Sequence, residues 1–104
     1  THVIFLLPTA EAAKKFQAAT KEAGCPGAII AENTWHYAKH WQALEDMGNK
    51  DYFGTKTPSY TPQTMAKSDA ILSRAVMFGL NIIMDDASVD KIIAAIKAGA
   101  KAVL

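Results

Sequence analysis

The stretch AENTWHYAKHW, residues 31–41, gathers the side chains most able to do chemistry. It holds both tryptophans, Tyr37, and two of the three histidines, His36 and His40. Histidines four apart share a helix face, as zinc ligands can. The zincin pattern needs a glutamate directly after the first histidine, and Tyr37 stands there. No cysteine or carboxylate sits at ligand spacing; Glu32 and Asp46 are the nearest acids. A histidine face used for packing and hydrogen bonding is the simpler expectation, with no metal site. Trp35, Tyr37 and Trp41 could stack on a sugar or a base, although such rings also fill ordinary cores. Their clustering favours a shared pocket or interface. Asn33 and Thr34 ahead of them suggest a tight turn.

Elsewhere no catalytic set is complete. There is no serine elbow and no glycine-rich phosphate loop. AGCPG lacks the glycine spacing of such a loop and opens a strand, not a helix. Cys25 reads as a small apolar filler. Arg74, the only arginine, could grip a carboxylate with two hydrogen bonds, or serve as a helix-end charge.

These residues must be positioned by a small set of elements. HVIFLL (2–7) is a continuous apolar run that fits an interior strand. Thr9 caps a helix over 10–24, with Ala12, Phe16, Ala19 and Ala23 on one face; Gly24 ends it and Pro26 enforces the stop. GAIIAE (27–32) is a second strand. A loop through Trp35 leads to a short helix ending near Met47. Residues 48–62 read as irregular. Thr61 and Pro62 start a helix running to about Arg74. AVMFGLNIIM (75–84) is a third strand, with Gly79 or Asn81 as break points. The last twenty residues form the clearest helix, with Ser88 as cap and an apolar stripe of Val89, Ile92, Ile93, Ile96, Ala100 and Val103. Gly99 weakens it by roughly 1 kcal/mol relative to alanine. The order predicts an α/β or α+β layer structure, a small mixed or antiparallel sheet packed with helices.

The 104 residues suit one domain, half apolar by composition, with a net charge of +1. Such a core buries roughly two thirds of the unfolded surface. No like-charge run creates a field for nucleic acid or a membrane surface, so neither partner is expected. A single cysteine fits a reduced, cytoplasmic setting. The chain opens on THVIFLLPT, without methionine and already in a strand, and reads as a piece of a longer protein.

Three stretches together resemble the C-terminal small domain of fold-type I pyridoxal-phosphate aminotransferases, in the DegT/DnrJ/EryC1/StrS sugar aminotransferase family. THVIFLLPTAEAAKKFQAATKEAGCPG looks like its strand, helix and turn. NTWHYAKHWQAL is similar to the aromatic and histidine segment that follows. TPQTMAKSDAILSRAVMFGLNIIMDDASVDKIIAAIKAG resembles the closing helix, strand and final helix. The likeness covers essentially the whole chain, and order and spacing carry it rather than any single motif. The family often shows a histidine-tyrosine-proline run where this chain has WHYAKHW, and an SLP triplet where it has SRAVMFG. These departures point to an unusual branch; NTWHY is similar to the group making 8-amino-octulosonate sugars.

The resemblance implies a cofactor, pyridoxal phosphate, joined as a Schiff base to a lysine of a large N-terminal domain. None of this chain's ten lysines has a suitable setting, so the chain alone is not expected to transaminate. It implies a substrate-reading role for Asn33, Trp35, His36, Tyr37 and His40, and for Arg74 toward the donor's carboxylate. The substrates would be a keto or aldehyde sugar and an amino acid, glutamate being the expected donor, in a homodimeric full-length enzyme. An exposed apolar patch is expected where the large domain would sit. The competing expectation is a free-standing ligand-binding or regulatory module of the ferredoxin-like kind, with a sealed surface.

Overall fold

A computed structural model describes residues 1–49 and 62–104. The elements are β1 (His2–Leu6), α1 (Ala10–Glu22), β2 (Ala28–Ile29), α2 (Gln42–Asn49), α3 (Ala66–Leu72), β3 (Ala75–Gly79) and α4 (Asp86–Val103). Single 3-10 turns occupy Ile30–Glu32, Ala38–His40 and Pro62–Met65. This is a mixed α/β fold with a three-stranded antiparallel sheet in the order β1-β3-β2. Of the tract 48–62 expected to be irregular, residues 48–49 close α2 and Pro62 opens a 3-10 turn; the rest, with the Thr61 cap, lies outside the described residues.

The sheet corrects one expectation. β1 is an edge strand, and β3 is the central one. An unbroken apolar run fits a strand covered on both faces, yet Ile4 and Leu6 are 55% and 57% exposed. The register explains which side chains are covered. Val3 and Phe5 lie opposite Phe78 and Val76, and Ile29 also pairs with Val76. These residues face α1 and α4. The alternate row, Ile4–Met77–Ala28 with Leu6 beside it, lies on the other face. That face keeps an apolar surface in the open.

The core joins Leu7, Ala13, Phe16, Ile29, Val76, Phe78 and Ile92. Phe5, Phe16 and Phe78 meet pairwise with centroids 6.0–6.2 Å apart. On α1 the buried stripe is Ala13, Phe16 and Thr20, one residue round from the expected alanine face. Thr20 is admitted to the core because its hydroxyl is satisfied twice. It donates to the Gln17 carbonyl at 2.9 Å and accepts from the Gly27 amide at 3.1 Å.

Helix ends follow local chemistry. Thr9 Oγ1 accepts from the Ala12 amide, as its position predicts. Gly24, at φ +80°, closes α1. The Gly24 amide donates to Lys21 O and the Cys25 amide to Thr20 O, the paired bonds of a Schellman stop. α4 starts earlier than its expected Ser88 cap: Asp85 is the cap, accepting from the Ser88 amide at 2.9 Å. Hydrogen bonds from Ser88, first from its side chain and then from its backbone amide, hold the Asp85 carboxyl below its usual range, with burial acting the other way.

On α4, Ile92, Ala95 and Gly99 are buried, while Val89 and Ile93 are about two fifths exposed, at 40% and 42%. Gly99 is thus a packing residue rather than a flaw. A Cβ there would lie 2.8 Å from Phe16 ring carbons and from Thr20 Cγ2.

β3 ends at Gly79, one of the two break points expected in the 75–84 run. Asn81 makes the turn: its carbonyl accepts from Met84 and its Oδ1 from Ile83. β2 is shorter than expected, because the chain enters a 3-10 turn at Ile30 with Asn33 N bonded to Ile30 O. The segment that follows reaches α3 and builds the site.

Candidate functional site

Asn33 starts the site's framework. Its Oδ1 accepts from both the Trp35 and His36 amides at 2.9 Å, the tight turn its position predicts. Trp35 and His36 are left facing solvent, Trp35 81% exposed. The next residue turns inward: Tyr37 is buried, 5% exposed. Its hydroxyl donates to Asp69 Oδ1 at 2.7 Å, across 32 residues of chain.

Asp69, on α3, ties the segment together. Its second oxygen, Oδ2, accepts from Lys39 Nζ at 2.6 Å. The hydrogen bond from Lys39, then that from Tyr37, holds the Asp69 carboxyl below its usual range. Partial burial works the other way, and the positive charges of Lys39 and His40 reinforce the lowering. Tyr37 shifts oppositely. Burial, then the hydrogen bond to Asp69, then that residue's charge push the phenol from 10.0 up to about 12. Tyr37 therefore keeps its proton at neutral pH and serves as a fixed donor, not as a base.

His40 lies edge-on to Tyr37, ring centroids 5.6 Å apart. Its Nε2 is 2.7 Å from the Ala31 carbonyl. A carbonyl only accepts, so Nε2 carries the hydrogen and Nδ1 is the ring's other polar position. Lys39, His40, Asp69 and Ser73 line an open groove of about 670 Å³ with Ala31, Ala66 and Ala70 as its apolar wall. The arrangement mixes an ammonium, an ionised carboxylate, an imidazole and a hydroxyl around methyl groups. Such a surface suits a small ligand rich in hydroxyls, which both donates and accepts.

Of the residues singled out by sequence, the structure brings His40 to the groove, with Tyr37 behind it and Asn33 shaping the approach. It does not bring Trp35 or His36 to the lining. Arg74 sits at the end of α3, where Nε donates to Ala70 O at 3.1 Å and an NH1 donates to Pro8 O at 3.0 Å. The guanidinium ties α3 to the β1–α1 turn. Sequence reasoning missed Lys39, Asp69 and Ser73. One signal was present: a buried tyrosine needs an acceptor for its hydroxyl, and Asp69 is the one carboxylate of the 62–74 helix.

Among the described residues, no group of three or more histidines, cysteines or carboxylates is placed to hold a metal ion. No helix among them is long and apolar enough to cross a membrane. Comparison with protein-family models and with solved structures finds no match for this chain.

Proposed function

We propose that this chain is the small domain of a pyridoxal-phosphate-dependent sugar aminotransferase, and that its groove reads a polyhydroxylated keto or aldehyde sugar. The amino group would come from an amino acid, glutamate being the expected donor. The reading is carried by the Tyr37–Asp69–Lys39 chain, which fixes donors and acceptors beside His40 above an alanine wall. In that role Tyr37 orients Asp69, and Asp69 orients Lys39. Lys39 donates to sugar hydroxyls, while His40 Nδ1 and Ser73 complete the polar rim. The uncovered row of Ile4, Met77 and Leu6 supports the same reading, as a surface for the rest of the enzyme.

The described residues do not fit the cofactor itself. Every described lysine is exposed, and the Lys39 ammonium is committed to Asp69. A lysine that forms a Schiff base works as a neutral amine in a shielded setting. The reactive lysine is therefore assigned outside the described residues, to the large domain that the resemblance implies.

The test is the visible spectrum of the chain mixed with pyridoxal phosphate. The expected result is weak adduct absorbance spread over surface lysines and lost on dilution. A stoichiometric adduct on one lysine would contradict the assignment. A free-standing ligand-binding module is the second reading, favoured by β3 lying between β1 and β2 in a split β-α-β unit. It predicts no binding of an apolar dye by the folded chain, whereas an uncovered sheet face predicts clear binding.

A further inference from the structure

We propose that the β1 edge and the outer flank of α4 together form a self-complementary interface for a second copy of this chain. Leu7 N donates to Arg74 O at 2.9 Å, and Leu80 N donates to Thr1 O at 2.8 Å. Odd-numbered residues of the β1 run thus spend their backbone groups on β3. By the alternation of an antiparallel ladder, His2, Ile4 and Leu6 aim their N–H and C=O groups away from the sheet. β1 carries no lysine, acid or proline, the usual guards of a free edge. Two copies of β1 running antiparallel about Ile4 would pair His2 with Leu6 and Ile4 with its own mate.

The same flank has an apolar cleft of about 180 Å³ between Val3 of β1 and Val89, Ile92, Ile93 and Ile96 of α4. Val3, Val89 and Ile93 are 36%, 40% and 42% exposed. Val3 is next to Ile4 in sequence and lines the cleft with Ile93, which sets the strand edge and the helix flank side by side for one partner.

Charge identifies the occupant. At about 100° per residue, Asp86, Asp90, Lys97 and Lys101 fall within roughly 60° of one another, just outside Ile93. Lys91 points the other way, its stem near Gly24. Within one chain these four form like-charge neighbours, Asp86 with Asp90 and Lys97 with Lys101, which is unfavourable at that spacing. None of the four makes an ion pair among the described residues. An antiparallel α4 from a second copy reverses this. Asp90 then faces Lys97 of the other copy and Asp86 faces Lys101, each pair occurring twice. The interface is isologous, and its acid and base halves answer each other.

Sedimentation equilibrium over a dilution series tests the proposal, using the wild-type chain and three variants. Ile4→Pro removes an outward N–H from β1 and leaves the β1–β3 hydrogen bonds of the odd-numbered residues their donors and acceptors. Lys97→Asp sets two like-charge contacts across the interface. Asp90→Lys with Lys97→Asp exchanges the charges and restores their match. The expected result is a wild-type dimer, weakened about tenfold or more by Lys97→Asp and by Ile4→Pro. The exchanged double variant should return close to the wild-type constant. Lys97→Asp is a surface change, so it keeps the test decisive should Ile4→Pro fail to fold. A wild-type chain that stays monomeric leaves this flank to a different partner and overturns the proposal. So does a dimer indifferent to Lys97→Asp, or one that the double exchange fails to restore.

Discussion

Gly99→Ala separates what a helix-propensity argument says from what the packing says. Propensity alone favours alanine by about 1 kcal/mol in a helix interior. The structure puts the added methyl 2.8 Å from Phe16 Cδ2 and Cε2 and from Thr20 Cγ2. Carbon atoms prefer separations of about 3.5–4.0 Å, so α1 or α4 must shift by roughly 1 Å. Neither neighbour can yield easily, because Phe16 is 2% and Thr20 0% exposed. Overpacking of this kind costs about 1–3 kcal/mol. Against the propensity gain, the net is a loss of about 1 kcal/mol. For a chain of this length that lowers the melting temperature by about 5 °C. Thermal unfolding followed by far-ultraviolet circular dichroism measures it, with Gly79→Ala as control, since a Cβ at Gly79 meets nothing within 4 Å. A rise in melting temperature for Gly99→Ala would refute the close α1–α4 contact.

Thr20→Val keeps the side chain's shape but leaves the buried Gly27 amide without its acceptor; urea unfolding should show a loss of about 1–2 kcal/mol, and Thr20→Ser should retain that bond. Thr9→Ala removes the α1 cap and should lower stability by about 1 kcal/mol in the same assay. The raised Tyr37 pKa means the fold favours the neutral phenol. Its contribution is complete below pH 10 and is lost as pH rises toward 12, so phenolate absorbance should show one late tyrosine that Tyr37→Phe removes. The lowered Asp69 and Asp85 pKa values act at the other end. Their contributions are present above the ordinary carboxylate range and fade as pH falls through it, so Asp69→Asn should flatten the acid limb of stability against pH.

Local signals were legible in the sequence. Thr9 and Gly24 bound α1 because cap and stop chemistry acts over three or four residues. The α/β class followed from the order of elements, and Asn33 announced its turn. What escaped depends on distant neighbours. β1 reads as interior because its composition is apolar, while its edge position depends on how β3 pairs. The Asp85 cap was passed over for Ser88, although both side chains suit that role. Gly99 looks like a defect until Phe16 is placed against it. The site divides the same way. Tyr37 and His40 stood out by type, but Asp69 lies 32 residues from Tyr37. Trp35 drew notice by its size, and size carries no information about which way a ring points; it is left in solvent.

The groove's role is tested most directly by titrating the nitrogen-labelled chain with a keto sugar while following its amides one by one. A sugar-reading groove gives saturable shifts centred on Ala31, Lys39, His40, Asp69 and Ser73, lost in Lys39→Ala while the fold persists. Absence of shifts at any attainable sugar concentration, or shifts centred away from these residues, would contradict it.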